Sequence, residues 1–264
     1  MFRSKPKSAV LPLVTVLVLM LLVVGAWAAV VMDFRRAPLA GEGAAAATSS
    51  APSSTTASPS ASAEPGWTMP QARKAFAQED SRTLVLGDST GDGYDEWVHL
   101  WAQSEDLPVA SWATQSESGY EAESPQTRVW SGSMPEATAA YPVEHWEEIW
   151  PAADPDLVLL SFGHEQESPA QATKQLEALR ADIANRVKQA PIVVILQNPA
   201  ADDADAGMRE AIAAWAEETG LPTIDIATAF EDSAMGEADL RLDSYHPSGA
   251  GSQLWAETVG EAIG

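Results

Sequence analysis

The sequence predicts an α/β protein whose folded part, residues 67–264, is a three-layer α/β/α sandwich with a central parallel sheet. Short apolar runs without alternation are typical of strands that are covered on both faces. Segments with apolar residues at helical spacing lie between those runs. Alternating strands and helices favour parallel pairing with right-handed crossovers. In such sheets the loops after the carboxyl ends of the strands carry the chemistry.

Strands and helices are expected in alternation along the chain. Five strands are expected, at 83–86, 109–113, 157–162, 192–196 and 222–227. Helices are expected where apolar side chains recur three or four residues apart. These side chains are Leu176, Leu179, Ile183 and Val187, then Met208, Ile212, Trp215 and Ala216, and finally Trp255, Val259 and Ile263. Ser248 is the expected N-cap of the last helix because its hydroxyl can accept a free backbone N–H.

Residues 1–36 have the composition of a cytoplasmic stub and a membrane anchor. No charged residue occurs from 9 to 32, and this apolar run is long enough for a helix across a hydrocarbon core of about 30 Å. Basic residues are slightly richer before the run than after it, so the amino end is expected inside and the rest outside. A cleaved signal peptide is the alternative, since 26–28 reads Ala-Trp-Ala, a small-x-small cleavage site.

The composition of the remaining chain excludes several classes of function. Residues 37–66 are dominated by Ala, Ser, Thr, Pro and Gly, so a disordered linker is expected there. The chain has 15 basic and 38 acidic residues and a net charge of -23, which argues against nucleic-acid binding. The absence of cysteine excludes a disulfide framework, a thiol nucleophile and a Cys-ligated metal site. No cofactor is expected, and the oligomeric state stays open.

Two short polar segments carry the candidate chemistry. Ser89 follows an apolar strand and precedes an expected helix, so its backbone N–H and the helix dipole are expected to face a developing oxyanion. A serine hydroxyl is a poor nucleophile until a base takes its proton. His246 lies between the last strand and the last helix, and Asp243 precedes it by three residues. A carboxylate this close can hold the ring in the useful tautomer.

The segments 87–89 (Gly-Asp-Ser) and 243–247 (Asp-x-x-His-Pro) resemble the first and last motifs of the SGNH hydrolases, the branch of the GDSL esterase and lipase family with a flavodoxin-like sandwich. The resemblance covers the whole folded region and implies a catalytic triad. Ser89 would attack the acyl carbon, His246 would act as general base and then acid, and Asp243 would orient it. The family's oxyanion hole combines the serine N–H, a glycine N–H from a second motif and an asparagine side chain from a third.

The third motif is where this sequence departs from the family. The chain reads Gly-His-Glu-Gln at 163–166, and Glu165 stands where the asparagine should donate. An ionised carboxylate donates nothing and repels an oxyanion. Three explanations stay open. Glu165 is protonated in a dry pocket, or His164 or Gln166 supplies the donor through a shifted loop, or the enzyme is slow or inactive.

The second motif is similar to Trp-Ser-Gly-Ser at 130–133, which implies Gly132 as an oxyanion donor beside Ser89 and position 165. Four tryptophans fall in or near the expected site loops, where they would either stack on sugar rings or pack the core. They are Trp112, Trp130, Trp146 and Trp150. The segment 88–99 partly matches a calcium loop, but His99 stands where a bidentate Glu is needed, so no metal is expected there.

Together these patterns predict a membrane-tethered extracytoplasmic serine esterase. Its expected substrates are small O-acyl esters, above all acetyl esters on cell-envelope carbohydrate. Two alternatives stay open. One is a catalytically impaired module of the same fold that binds envelope glycan or a protein partner. The other is an O-acyltransferase, in which a sugar hydroxyl takes the acyl group instead of water.

Overall fold

The computed structural model describes residues 66–111, 127–151 and 153–264. In this part of the chain six parallel strands form one sheet in the order β2-β3-β1-β4-β5-β6. The strands are β1 (Arg82–Gly87), β2 (Val109–Ser111), β3 (Arg128–Ser131), β4 (Leu157–Ser161), β5 (Ile192–Leu196) and β6 (Thr223–Asp225). The central parallel sheet that the sequence predicts is therefore confirmed.

Helices and one 3₁₀ turn connect the strands. The helices are α1 (Met69–Phe76), α2 (Trp97–Ser104), α3 (Tyr141–Glu144), α4 (Trp146–Ile149), α5 (Pro169–Arg186), α6 (Ala206–Thr219), α7 (Ile226–Glu231), α8 (Glu237–Leu240) and α9 (Gly249–Ile263), and the 3₁₀ turn is Ala201–Asp203. Three of the expected helices correspond to α5, α6 and α9, although Val187 lies just past the end of α5 in an extended conformation. The Ser248 hydroxyl accepts the Gly251 N–H at 3.2 Å and caps α9 as expected.

The two faces of the sheet are covered by different helices. Leu84 and Leu86 of β1 pack in one core with the apolar side chains of α5 and α6. Val85, which points to the opposite face, packs in a second core with side chains of α1, α2, α7 and α9. This division follows from the alternation of side chains along a strand, and each fully buried aliphatic side chain stabilises the fold by about 1.5–3 kcal/mol. The arrangement is the expected three-layer sandwich.

The strand boundaries show where the local sequence pattern was not enough to predict the structure. The strand expected at 192–196 has those limits, whereas β6 ends at Asp225 because its carboxylate accepts the Thr228 N–H at 3.0 Å and starts α7. The last two residues of the strand expected at 109–113 lie outside the described residues. Strand β3 was not predicted, because it is only four residues long and begins with a charged Arg128.

The strand order makes the carboxyl end of β1 the expected place for a site. From β1 the chain runs outward to β2 and β3 and then returns across to β4, so β1 lies where the direction of winding reverses. Loops at such a switch point splay apart and leave room for a ligand. Gly87 ends β1 there, and a Cβ atom at that position would lie 2.9 Å from Ser133 Oγ and 3.0 Å from the Ser161 carbonyl oxygen. The close approach of these neighbours therefore requires glycine.

The predicted membrane span at 9–32 lies outside the described residues. Within the described ranges, no helix is both long and apolar enough to cross a bilayer. Of the predicted linker, 37–66, only Gly66 is described. The anchor and the linker therefore stay predictions from the sequence.

Candidate active site

The three side chains of the predicted triad lie in one hydrogen-bonded row. Ser89 Oγ is 3.0 Å from His246 Nε2, although 157 positions separate the two residues. His246 Nδ1 is 2.7 Å from Asp243 Oδ2. Because an ionised carboxylate only accepts hydrogen bonds, we assign the ring proton to Nδ1, which leaves the Nε2 lone pair facing Ser89. This arrangement can take the hydroxyl proton and stabilise the resulting imidazolium.

The turn that carries Asp243 and His246 is held by its own hydrogen bonds. Asp243 Oδ1 accepts the N–H groups of Tyr245 at 3.0 Å and of His246 at 2.9 Å, and the Leu242 N–H donates to the His246 carbonyl at 2.8 Å. Burial raises the pKa of Asp243, but those two N–H groups and the His246 ring outweigh burial, so the pKa is lowered overall. Asp243 is therefore ionised at neutral pH, as an orienting carboxylate must be.

The loop that carries Ser89 is anchored on the buried carboxylate of Asp88. Thr90 donates its N–H at 3.1 Å and its hydroxyl at 2.8 Å to Asp88 Oδ1. Gln197 Nε2 approaches the two carboxylate oxygens at 3.1 and 2.9 Å. Burial raises the pKa of Asp88, while the nearby His164 and these donors act in the opposite direction. Donors from two loops thus fix the backbone on both sides of Ser89.

Gln197 and Asn198 are site residues that sequence reasoning missed. Gln197 Oε1 accepts the His164 N–H at 3.0 Å, and a Cβ atom at Gly163 would lie only 2.7 Å from that oxygen. Asn198 Nδ2 donates to the Tyr245 carbonyl at 2.8 Å. The two amides therefore tie together the loop after β1, the loop after β4 and the turn that carries Tyr245. The sequence did contain a signal for these two residues, namely two adjacent amide side chains directly after the apolar run of β5. Amides that become buried at the end of a strand need specific hydrogen-bond partners.

The expected helix after Ser89 is α2, which begins at Trp97, eight residues after Ser89. That its dipole faces the oxyanion stays a prediction. An irregular loop intervenes, in which Glu96 Oε2 accepts the Gly93 N–H at 2.7 Å. Burial raises the pKa of Glu96 to about 7. Within the described residues, no carbonyl accepts the backbone N–H of Ser89, which leaves it available to an oxyanion.

Glu165 lies at the position that the sequence predicted, beside the hydroxyl of Ser89. Glu165 Oε1 is 3.3 Å from Ser89 Oγ and accepts the Tyr245 hydroxyl at 3.0 Å. The serine proton therefore has two acceptors within reach, Glu165 and His246. An ionised Glu165 can accept from both hydroxyls, but it cannot replace an asparagine amide as a donor.

The explanation in which His164 replaces the asparagine is not supported by the geometry. The His164 side chain is 1% exposed, and its Nδ1 lies 3.4 Å from Asp205 Oδ2. Its Nε2 lies 3.4 Å from Asn198 Oδ1, so both nitrogens face other groups. Gln166 is also buried, and within the described part of the chain neither atom of its amide has a hydrogen-bond partner.

The geometry does not support Gly132 as an oxyanion donor. Its N–H donates to the Val85 carbonyl at 2.7 Å and so continues the parallel pairing of β1 with β3. A single N–H that is committed to one carbonyl is not free for a second acceptor. The glycine follows the unpredicted strand β3, and this is why its backbone is bonded in the sheet.

The three described tryptophans of the four singled out in the sequence do not form an aromatic cleft beside Ser89. Trp130 and Trp146 are buried in the core, at 1% and 4% exposure. Trp150 packs against the guanidinium of Arg186, at the end of α5 remote from the loop after β4. Trp112 lies outside the described residues. In the described ranges, no cluster of three His, Asp or Glu side chains could hold a metal ion.

Three solved structures have similar folds. A member of the lipolytic G-D-S-L family from Veillonella parvula has a TM-score of 0.51 and 19% identity over 69% of this chain and 97% of that chain. The lipase/acylhydrolase from Enterococcus faecalis has a TM-score of 0.53 and 18% identity over 69% and 95% of the chains. A catalytic mutant of the acetylxylan esterase Axe2 from Geobacillus stearothermophilus has a TM-score of 0.54 and 19% identity over 72% and 96%.

These structural similarities show the fold. No curated protein is similar in sequence at a significant level. The sequence profile of the GDSL-like lipase/acylhydrolase family matches residues 85–254, a range that includes the nucleophile loop, the loop after β4 and the turn of His246. The chain therefore belongs to the GDSL-like lipase/acylhydrolase family of ester-cleaving enzymes.

Proposed function

We propose that this chain is a serine esterase that hydrolyses small O-acyl esters through an acyl-Ser89 intermediate. The observation that carries the proposal is the unbroken row of hydrogen bonds from Ser89 Oγ to His246 Nε2 and from His246 Nδ1 to Asp243 Oδ2, at 3.0 and 2.7 Å. Membership of an acylhydrolase family supports it independently.

The reaction proceeds in two halves. His246 Nε2 takes the Ser89 hydroxyl proton as Oγ bonds to the acyl carbon, and the same proton then goes to the departing alcohol as the ester bond breaks. In the second half, His246 takes a proton from water, the hydroxide oxygen bonds to the acyl carbon, and the proton returns to Ser89 as the acid leaves. Asp243 stabilises the imidazolium in both halves.

We further propose that the substrates are acetyl esters on cell-envelope carbohydrate. The side chains of His246 and Asp243 are 27% and 49% exposed, so the triad lies at an open surface that a polymer can reach. Tyr94, five residues after Ser89 in the same loop, is 64% exposed and offers an aromatic face for a sugar ring. The similar fold of an acetylxylan esterase supports the same substrate class.

The extracytoplasmic location is part of the proposal. It rests on the apolar run at 9–32, which would anchor the chain, and on the linker at 37–66, which would separate the enzyme from the membrane. An O-acyltransferase is the second candidate, because the acyl-Ser89 intermediate is common to both reactions. Only the acceptor differs, and an open site admits a sugar hydroxyl as readily as water.

The test compares the full chain with its Ser89→Ala variant on p-nitrophenyl acetate, with Ser233→Ala as a control outside the site. Ser89→Ala is expected to lower kcat/KM at least about 1000-fold, because no nucleophile remains. Equal background rates for both proteins would identify a catalytically silent module. Activity retained in Ser89→Ala would show that the nucleophile lies elsewhere.

Substrate class is tested with the same protein. Acetate release from acetylated glycan should depend on Ser89, and rates on p-nitrophenyl esters should fall as the acyl chain lengthens from acetate to octanoate. Adding a sugar acceptor distinguishes a hydrolase from an O-acyltransferase, since acetylated sugar as the main product would establish a transferase. Faster turnover of octanoate than of acetate would refute the proposed preference for small acyl groups.

A further inference from the structure

Three oxygen atoms from three loops meet at the nucleophile. The Tyr245 hydroxyl donates to Glu165 Oε1 at 3.0 Å, and Ser89 Oγ lies 3.3 Å from the same carboxylate oxygen. Glu165 Oε1 therefore bridges the Tyr245 hydroxyl and Ser89 Oγ. A phenolic proton is thus held close to the oxygen that would attack the acyl carbon.

Three other candidate donors near the site are used elsewhere. The Gly132 N–H is bonded to Val85, and the His164 ring faces Asp205 and Asn198. The amide of Asn198 donates to the Tyr245 carbonyl instead of to the site. The Tyr245 hydroxyl differs from these groups because its acceptor, Glu165 Oε1, also contacts Ser89 Oγ.

Tyr245 is held rigidly in this position. Its ring stacks on His164, with ring centroids 5.0 Å apart, and lies against His246 at 4.2 Å. Its backbone N–H donates to Asp243 and its carbonyl accepts from Asn198. A donor that is fixed before the reaction stabilises developing charge without a reorganisation cost.

The Tyr245 hydroxyl keeps its proton over the range in which an esterase of this type works. Burial, followed by the hydrogen bond to Glu165 and the charge of that carboxylate, raises the pKa of Tyr245, and the contact with Ser89 opposes this only in part. A neutral phenol is a donor, whereas a phenolate is not.

We propose that the Tyr245 hydroxyl donates the side-chain hydrogen bond of the oxyanion hole, together with the backbone N–H of Ser89. The oxyanion is bonded to the same carbon as Ser89 Oγ, so a hydroxyl that is held close to Oγ can turn toward the oxyanion. In the free enzyme Glu165 accepts a hydrogen bond from the Tyr245 hydroxyl and so holds that O–H near Ser89. As negative charge develops on the oxyanion, the O–H turns from Glu165 toward it. This inference rests on the acyl-Ser89 chemistry proposed above.

The proposal assigns opposite effects to the two partners. Removal of the Tyr245 hydroxyl leaves the oxyanion without a side-chain donor. Neutralising Glu165 removes a negative charge beside the oxyanion and supplies an amide that can donate in its place. Tyr245→Phe should therefore lower turnover strongly, and Glu165→Gln should raise it.

The experiment is a double-mutant cycle on the full chain with p-nitrophenyl acetate. Tyr245→Phe is expected to lower kcat about 100- to 1000-fold with KM nearly unchanged. In the Glu165→Gln background, Tyr245→Phe should lower kcat by less than about 10-fold, because the glutamine amide can donate in place of the phenol. Tyr141→Phe, which removes a phenol on α3 outside the site, is the matched control and should leave kcat unchanged.

Binding of an alkylboronic acid, which forms a tetrahedral adduct on a serine, provides a readout that a structural role would not change. Its affinity should fall in Tyr245→Phe by a factor similar to that in kcat, while circular dichroism and Tm stay close to those of the parent. A kcat within about 3-fold of the parent, or an increase, would overturn the role of Tyr245. If Ser89→Ala abolishes activity while Tyr245→Phe does not, the esterase assignment stands and only this inference fails.

Discussion

The turn at 241–248 and the loop at 163–166 both contact Ser89, yet they differ in how they relate to the family. The turn keeps the Asp-x-x-His-Pro pattern, and its side chains form an ordered triad with Ser89. The loop at 163–166 places Glu165 where an amide donor is expected. The contrast separates two tasks of a hydrolase, because the groups expected to activate the nucleophile follow the family pattern, whereas those expected to stabilise the oxyanion depart from it.

The difference has a physical basis in how each segment is held. Asp243 bonds to the backbone and ring of residues two and three positions later, so the geometry of the turn is encoded locally. The loop at 163–166 depends on partners from other segments, chiefly Gln197 and Tyr245. A substitution in it can therefore be compensated by residues that are distant in sequence, as we propose for Tyr245.

Asp243→Asn tests the locally encoded part and has the largest expected effect in this comparison. The amide keeps the shape but donates toward Nδ1, which favours the wrong ring tautomer, so kcat should fall about 1000- to 10,000-fold. Esterase kinetics at pH 7 measure the loss, and Asp232→Asn, an exposed carboxylate outside the site, is the control. A loss below about 10-fold would show that His246 does not depend on Asp243.

Gly163→Ala tests the dependence of the other loop on distant partners. The new Cβ would lie 2.7 Å from Gln197 Oε1, and Gln197 cannot move away without breaking its bonds to Asp88. The free energy of unfolding should decrease by about 1–3 kcal/mol. Urea denaturation measures this decrease in the free energy of unfolding.

Gly207→Ala is the matched control for that substitution. Nothing lies within 4 Å of a Cβ atom at Gly207, which is in α6. Because alanine reduces the entropy of the unfolded chain, this variant should be as stable as the parent or more stable by up to about 1 kcal/mol. Equal destabilisation in both variants would show that Gly163 is not constrained by Gln197.

Glu96→Gln extends the comparison to the loop that follows Ser89 and has the smallest expected effect. Burial raises the pKa of Glu96 to about 7, so between about pH 4.5 and 7 the folded chain retains a proton that the unfolded chain has lost. The free energy of unfolding therefore falls as pH rises through this window. The decrease attributable to Glu96 is about 1–2 kcal/mol after allowance for its partial exposure.

The measurement is Tm for the parent and the variant at pH 5 and pH 8. Glu96→Gln should reduce the loss of Tm between the two values by a few degrees, because glutamine does not titrate and still accepts the Gly93 N–H. Glu79→Gln, an exposed carboxylate, should leave the pH dependence as it is. An unchanged pH dependence in Glu96→Gln would show that this carboxyl is ionised at neutral pH in the folded chain.

The sequence by itself determined the layers of the fold and predicted the three residues that form the hydrogen-bonded row at Ser89. Continuous apolar runs and helical spacing depend on local burial, and the Asp243–His246 turn is closed within a few residues. The tertiary structure alone decided the rest of the site. Gln197 and Asn198 hold the residues around Ser89 from the loop after β5, and the Tyr245 hydroxyl approaches from the turn at 241–248. The Gly132 N–H is bonded to β1 directly after a strand too short to predict. Hydrogen bonds between distant segments leave no periodic signal, since only the folded sheet brings their donors and acceptors within reach.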